Sequence, residues 1–223
     1  MSGPIVLIPA HNESRTISNV VSITRKHLPV LVVDDGSTDD TADRARVAGA
    51  KVIRQTPNQG KGAALLTGFR YLLQQGYPAV ITLDGDGQHD PAEIPAFLAA
   101  WHEQRVGLII GRRDFSHMPF IRRLANTLGG ELFSLAVGHR VADNQSGYRL
   151  IDRQLMQLMM KDDEPGFELE VDMVVLALKK KLGIAWVPIK TIYTGGSSHI
   201  KPLPHLVNFL RVCLKAHRAM QTF

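Results

Sequence analysis

Ala79-Val80-Ile81-Thr82-Leu83-Asp84-Gly85-Asp86-Gly87-Gln88-His89 is an apolar run that breaks abruptly into carboxylates and glycines. Residues 79–83 are apolar on both alternating faces, which predicts a strand of a parallel sheet covered on both sides. The pattern recurs outward from this stretch. Residues 5–8, 31–33, 51–54 and 107–111 read as further strands. Between them lie helical patterns: Ile17, Val20, Val21 and Thr24; Ala42, Ala45 and Ala48 behind the start signal Ser37-Thr38-Asp39-Asp40; residues 62–75; and residues 91–103, opened by a proline. Strands alternating with helices predict an α/β fold with a mostly parallel, Rossmann-like sheet and helices on both faces.

The second half is less regular. Residues 120–137 and 169–182 read as helices and 147–151 as a short strand. Residues 185–192 read as a strand that Pro188 places at an edge. Beyond Pro204, Leu206, Val207, Leu210, Cys213 and Leu214 share one helical face, with Asn208, Arg211, Lys215 and Arg218 largely on the other. Two accounts of this last helix stay open: packing on the body, or lying in a membrane interface.

The chain has 223 residues, of which 44% are hydrophobic and 21% charged, which fits one globular domain and excludes general disorder. The reading is one domain over residues 1–200 and a basic amphipathic helix over 201–223, either part of that domain or a surface anchor. Cys213 is the single cysteine, so no intrachain disulfide or cysteine metal cluster can form. No secretion signal is legible at the N-terminus, and no apolar run reaches the roughly 18 residues of a spanning helix. The expectation is a cytoplasmic protein, peripheral at most to the cytoplasmic membrane face. Every Asp and Glu lies at or before Asp172, whereas the remainder carries six lysines and two arginines. A basic end on a nearly neutral body points to a polyanionic neighbour. Without aromatic stacking partners or a recognisable motif, nucleic acid is not expected, and an anionic membrane surface is the better candidate.

In open α/β sheets ligands gather beyond the carboxyl ends of the strands. Three such ends carry chemistry here: Pro9-Ala10-His11-Asn12-Glu13, Asp34-Asp35-Gly36-Ser37, and Asp84 to His89. The first lacks the GxGxxG fingerprint, which argues against a nicotinamide enzyme, and no P-loop is present. Asp84 and Asp86, two apart at a strand end, can point to one side, and Gly85 and Gly87 leave room for a ligand. With the Gln88 amide oxygen they make a hard, oxygen-only donor set suited to Mg²⁺ or Mn²⁺. His89 reads as capping or orienting the helix after Pro91, and His11 as lining the pocket. Met156, Met159 and Met160 read as core or interface fillers.

These segments, with Asn58-Gln59-Gly60-Lys61-Gly62, Gly111-Arg112-Arg113, Ile121-Arg122-Arg123-Leu124 and Asp143-Asn144-Gln145-Ser146-Gly147-Tyr148-Arg149, resemble the ordered motifs of family 2 glycosyltransferases with the GT-A fold. The dolichyl- or polyprenyl-phosphate mannose and glucose synthases look most similar. The resemblance implies that Pro9, Glu13 and Asp35 hold the nucleobase and ribose, with Lys61 in the loop bordering the nucleotide. It implies that Asp84, Asp86 and Gln88 carry the metal bridging the donor diphosphate, and that Arg113 and Arg122 grip donor or acceptor phosphate. Asn126 stands one turn after Arg122, where that branch often has serine. Tyr193 to Pro202 replaces the acceptor-side arginine and lysine of the family.

A nucleotide-sugar donor and a lipid-phosphate acceptor follow as expected partners, with inversion at the anomeric carbon. A phosphate acceptor needs no general base, whereas a hydroxyl acceptor does, and Glu168, Glu170 and Asp172 are the candidates. They equally suit a first helical turn, where acids complement the macrodipole. Two alternatives remain at this stage: transfer to a hydroxyl of a polysaccharide, glycolipid or metabolite, and a non-catalytic nucleotide-binding subunit of a membrane assembly.

Overall fold

Alternation along the first strand already assigns two cores. In β1 (Ile5–Ala10), Ile5 and Leu7 enter one apolar cluster and Val6, Ile8 and Ala10 the other, on opposite faces of the sheet. The computed structural model of the chain describes residues 3–114, 120–161, 169–190, 192 and 202–221, with the side chains of 120–126 and 202–208 left out of that description. The remaining strands are β2 (Val30–Asp35), β3 (Lys51–Gln55), β4 (Ala79–Thr82), β5 (Leu108–Arg113), β6 (Arg149–Asp152) and β7 (Ile184–Ile189). They form one seven-stranded sheet in the order β3-β2-β1-β4-β6-β5-β7. Only β6 runs antiparallel, to both β4 and β5. This is the α/β, mostly parallel architecture expected.

The helices are α1 (Ile17–Thr24), α2 (Thr41–Val47), α3 (Lys61–Gln74), α4 (Ile94–Gln104), α5 (Phe120–Val137), α6 (Arg153–Met159), α7 (Leu169–Lys179) and α8 (Pro202–Gln221). Residues of α1, α2 and α4 fill the core on one face of the sheet, whereas α3, α5, α6, α7 and α8 fill it on the other. Each Leu, Ile or Phe buried there contributes about 1.5–3 kcal/mol. Gly68 of α3 sits so close to Leu7 that an added Cβ would meet its methyls at 2.5 Å, so glycine sets the helix-to-sheet distance.

Two elements differ from the sequence reading for local causes, and two expectations at the C-terminal end are settled. α6 is a helix where none was expected; Asp152 caps it, accepting the Leu155 N–H at 2.7 Å, and the strand before it is too short to mask that signal. Met156 and Met159 are thereby core residues of α6. α7 stops at Lys179 rather than 182, because Lys181 and Gly183 take positive φ. Pro188 is exposed on β7 at the sheet edge, as a proline without an N–H requires. α8 packs on α5 and α7 and buries Cys213 and Ala216 in the core, so part of its apolar face docks on the body while Leu210 and Leu214 stay exposed. Among the described residues, no helix is long and apolar enough to cross a membrane.

Candidate active site

The strand order turns back between β1 and β4, and the carboxyl ends of β1, β2 and β4 open there into a cavity of about 430 Å³. Its lining includes Pro9, His11, Glu13, Asp35, Lys61, Asp84 and Asp86, so three motifs far apart in sequence meet at one topological switch point.

Strand alternation separates the two aspartates that end β2. Asp34 is fully buried and pairs with Arg54 of the neighbouring strand at 3.1 Å. Asp35 faces the cavity and accepts three hydrogen bonds, from Gln55 Nε2 at 2.6 Å, Gln59 N at 2.8 Å and Gly60 N at 2.7 Å. It therefore shapes the loop that leads into α3 as well as lining the pocket. Gly36, at φ 71°, lets that loop close, since a Cβ would meet Asn58 N at 2.8 Å. His11 donates from Nδ1 to the Asp35 carbonyl at 2.8 Å and accepts at Nε2 from Asn12, which assigns its tautomer.

Lys61 is not in a loop. It is the first residue of α3, and its Nζ lies 2.7 Å from Asp84 Oδ1 and 3.2 Å from Glu170 Oε1. Burial disfavours its charge, but Asp84 and Glu170 outweigh burial and raise its pKa. Burial likewise opposes ionisation of Asp84, and Lys61 overcomes it, holding the carboxyl below its ordinary value. Glu13 moves the opposite way: burial and the nearby Asp86 and Asp84 raise its pKa against the Thr16 hydrogen bond. The mouth of the sheet thus concentrates negative charge beyond what its lysine balances.

That chemistry fits a divalent cation. Asp84 and Asp86 both line the cavity and offer only oxygen donors, the preference of Mg²⁺ and Mn²⁺. Among the described residues no cluster of three or more His, Cys, Asp or Glu side chains encloses an ion. Two aspartates with the other positions left to phosphate and water is how Mg²⁺ usually binds at such sites. Gln88 is exposed and outside the cavity lining; it meets Asp86 through its main chain, whose N–H donates to Oδ1 at 2.9 Å.

His89 does not cap the next helix. Asp90 does, accepting the Ala92 N–H at 2.9 Å. His89 is buried against Tyr148, and its Nδ1 accepts the Asp84 N–H at 3.1 Å. Burial lowers its pKa, so the ring is neutral and its approach to the Asp84 carboxylate is not an ion pair.

Arg113, at the end of β5, is held in a two-pronged grip by Asp143, Nε to Oδ2 at 2.7 Å and Nη2 to Oδ1 at 3.0 Å. The Asp143 carboxylate also accepts the Gln145 and Ser146 N–H groups, which folds the segment around it. Glu170 joins the site through Lys61, whereas Asp172 is buried on α7 and absent from the cavity lining. Arg112 is exposed. Arg122, Arg123 and Asn126 lie on α5 with side chains outside the described residues, as do Glu168 and residues 193–200 entirely.

Two residues of the site carried no role in the sequence reading. Gly147 abuts the ion pair: a Cβ there would lie 2.9 Å from both Asp84 Oδ2 and Lys61 Nζ. Arg149 is wholly buried beneath them and donates to the carbonyls of Ser146 at 2.7 Å and Asn144 at 2.8 Å, with a further bond to the Glu170 carbonyl. Burial pulls its pKa down to about 10, opposed by Glu170 and Asp143, so it stays charged at neutral pH. An arginine set among Tyr148, Leu150 and Ile151 in the expected strand was the available signal.

Comparison with known proteins places this geometry. The family model described as Glycosyl transferase family 2 matches residues 5–160. The UDP-N-acetylglucosamine–dolichyl-phosphate N-acetylglucosaminyltransferase of Methanococcus voltae is 29% identical over 214 residues, with 85% of each chain covered. The undecaprenyl-phosphate mannosyltransferase of Micrococcus luteus is 29% identical over 200 residues, covering 83% of this chain and 82% of that one. Among solved structures, glucosyl-3-phosphoglycerate synthase from Mycobacterium tuberculosis, in complex with Mn²⁺, UDP and glucosyl-3-phosphoglycerate, matches 97% of this chain and 80% of its own. Its TM-score is 0.70 at 25% identity. The fold is that of the GT-A glycosyltransferases, and the chain belongs to glycosyl transferase family 2.

Proposed function

We infer that this glycosyltransferase moves a sugar from a nucleotide-sugar to the phosphate of a polyprenyl-phosphate-type lipid, with inversion at the anomeric carbon. One observation carries the choice of acceptor. Glu170, the only described base candidate that reaches the site, is tied to Lys61, and Asp172 is buried away from the cavity. A carboxylate ion-paired in this way is a poor general base. A phosphate monoester needs none, since its second pKa of about 6 leaves it ionised at neutral pH. The Methanococcus and Micrococcus relatives, whose names specify dolichyl and undecaprenyl phosphate, support the same reading.

In this reading Asp84 and Asp86 would hold the divalent ion, which when bound offsets charge on the donor diphosphate. Pro9, His11, Glu13 and Asp35 line the part of the cavity that receives the nucleoside. An acceptor phosphate oxygen attacks the anomeric carbon from the face opposite the diphosphate. The new C–O bond forms as the bond to the diphosphate breaks. Lys61 at the cavity and Arg113 nearby, fixed by Asp143, supply positive charge that need not reorganise as the leaving group departs. Residues 1–200 form the catalytic body, and α8 completes it as well as carrying the basic end of the chain.

Glu170→Gln tests the acceptor. Transfer to a short-chain prenyl phosphate is expected to stay within about tenfold of wild type, because only a general base is worth 10²–10⁴. No wild-type transfer to the prenyl phosphate, with transfer to a hydroxyl acceptor that Glu170→Gln lowers about a hundredfold or more, would favour a hydroxyl acceptor. A melting-temperature panel of UDP- and GDP-sugars with and without Mn²⁺ tests the donor. At a donor concentration about 100 times its Kd, stabilisation of about 2.7 kcal/mol is expected, and it should require the metal. No shift with any nucleotide-sugar would count against the assignment of the cavity.

A further inference from the structure

Five leucines that the core does not use mark the outside of two neighbouring helices. Leu128, Leu132 and Leu135 of α5 are 55%, 45% and 79% exposed, and Leu210 and Leu214 of α8 are 44% and 61% exposed. The helices run side by side in the same direction: Gly129 lies against the Phe209 ring, and the Ala136 carbonyl meets His217 at 3.1 Å. At 3.6 residues per turn, Leu128, Leu132 and Leu135 fall on one stripe of α5, adjoining the side that Gly129 and Ala136 turn to α8. Leu210 and Leu214 likewise fall beside His217, the side of α8 turned to α5. The two stripes therefore flank a single seam and form one apolar strip.

The border of that strip is cationic. Arg211, Lys215 and Arg218 are exposed and continue around α8 beyond Leu210 and Leu214, and α8 contains no carboxylate. Arg140 follows α5 and is exposed too. Glu131 is the only acid in α5, and helical spacing sets it on the side of the leucines away from α8. An exposed apolar strip of this kind marks an interaction surface. Its charge selects the partner. A symmetric contact with a second copy would turn the same patch on itself, setting these cations against each other. An anionic bilayer instead receives leucines at the acyl boundary and cations among the headgroups.

We propose that the α5–α8 seam is an interfacial face that seats the protein on an anionic membrane. It deepens the reading of a lipid-phosphate acceptor and rests on it for its purpose, since β5, which ends at Arg113 beside the site, leads into α5. The face is composite, built from leucines of both helices, and not a detachable tail. Deleting α8 would strip Cys213 and Ala216 from the core, so truncation is not the test.

The test is co-sedimentation of the full chain with phosphatidylcholine vesicles, with and without phosphatidylglycerol, over a salt series. Wild type is expected to bind the anionic vesicles and to release as salt rises. The variant Leu132→Ser/Leu135→Ser/Leu210→Ser/Leu214→Ser should lose at least about tenfold in vesicle affinity, because interfacial binding scales with buried apolar area. It should keep the wild-type melting temperature and its transfer to a short-chain prenyl phosphate in solution. Arg211→Gln/Lys215→Gln/Arg218→Gln should lose the preference for phosphatidylglycerol. Equal vesicle binding by wild type and the leucine variant would overturn the proposal. So would a wild-type dimer that the leucine substitutions convert to monomer with no change at vesicles. Absent transfer to prenyl phosphate with vesicle binding intact would instead sink the acceptor reading and leave the interfacial face standing.

Discussion

Asp86→Ala is expected to lower sugar transfer by a factor on the order of 10³ while leaving the melting temperature of the unliganded protein unchanged. The two halves of this expectation have separate grounds. Asp86 is partly exposed in the cavity, and its carboxylate accepts a short-range hydrogen bond from the Gln88 N–H, so little of the fold depends on it. Its loss removes half of a two-aspartate donor set. Losing one group that stabilises developing charge typically costs 10²–10³ in rate, and losing the ion as well adds to that. Kinetics with the native donor, and loss of the Mn²⁺-dependent thermal shift, are the measurements. A chelator should bring the wild type down to the variant and leave the variant where it is. Asp84→Ala is a less clean experiment, because Asp84 also balances Lys61 at 2.7 Å. A variant at Asp86 with near-wild-type transfer would remove the basis for placing the ion at the mouth of the sheet.

Arg149→Met is expected to lower the melting temperature by about 10–15 °C. Two effects compete. Taking a buried cation away relieves its desolvation, and apolar replacements of buried charges are often tolerated when the partners are replaced together. Here the partners cannot be replaced, because they are main-chain carbonyls of Asn144, Ser146 and Glu170. Each buried acceptor left unsatisfied costs about 1–3 kcal/mol, so three of them outweigh the relief by a net of about 3–5 kcal/mol. For a chain of this length 1 kcal/mol corresponds to about 2–4 °C. Calorimetry of the unliganded protein reads the effect directly. A change of under about 3 °C would mean that the segment before β6 holds itself in place without the guanidinium. Residual activity at low temperature should also fall, since the same bonds set Glu170, and through it Lys61, against Asp84.

Much of this was legible in one dimension because periodicity and strand ends are local properties. Residues 5–8 are apolar at every position and residues 79–83 at all but Thr82, which a sheet covered on both faces accommodates. The glycines and aspartates that follow them mark where the chain leaves the sheet. The proline in β7 announced an edge. The identity of Asp84, Asp86, Glu13 and Asp35 as cavity residues followed from motif order alone. Other features were hidden for physical reasons. Asp34 and Asp35 are adjacent and chemically equal, and only the pleat of β2 buries one against Arg54 while turning the other to the cavity. His89 and Asp90 could each have capped the helix after Pro91; in the fold Asp90 caps it, and His89 is buried against Tyr148 instead.

What the sequence alone determined is the alternation of strands and helices, the family, and the acidic strand ends that meet at one cavity, because hydrophobic period and short motifs are set by neighbours along the chain. What only the tertiary structure decided is which charges meet. Lys61, Asp84 and Glu170 are brought together by β4, α3 and α7, Arg149 is locked under them, and the leucines of α5 are set beside those of α8. Such pairings depend on crossover connections and packing distances of a few ångströms, and no local pattern of residues encodes them.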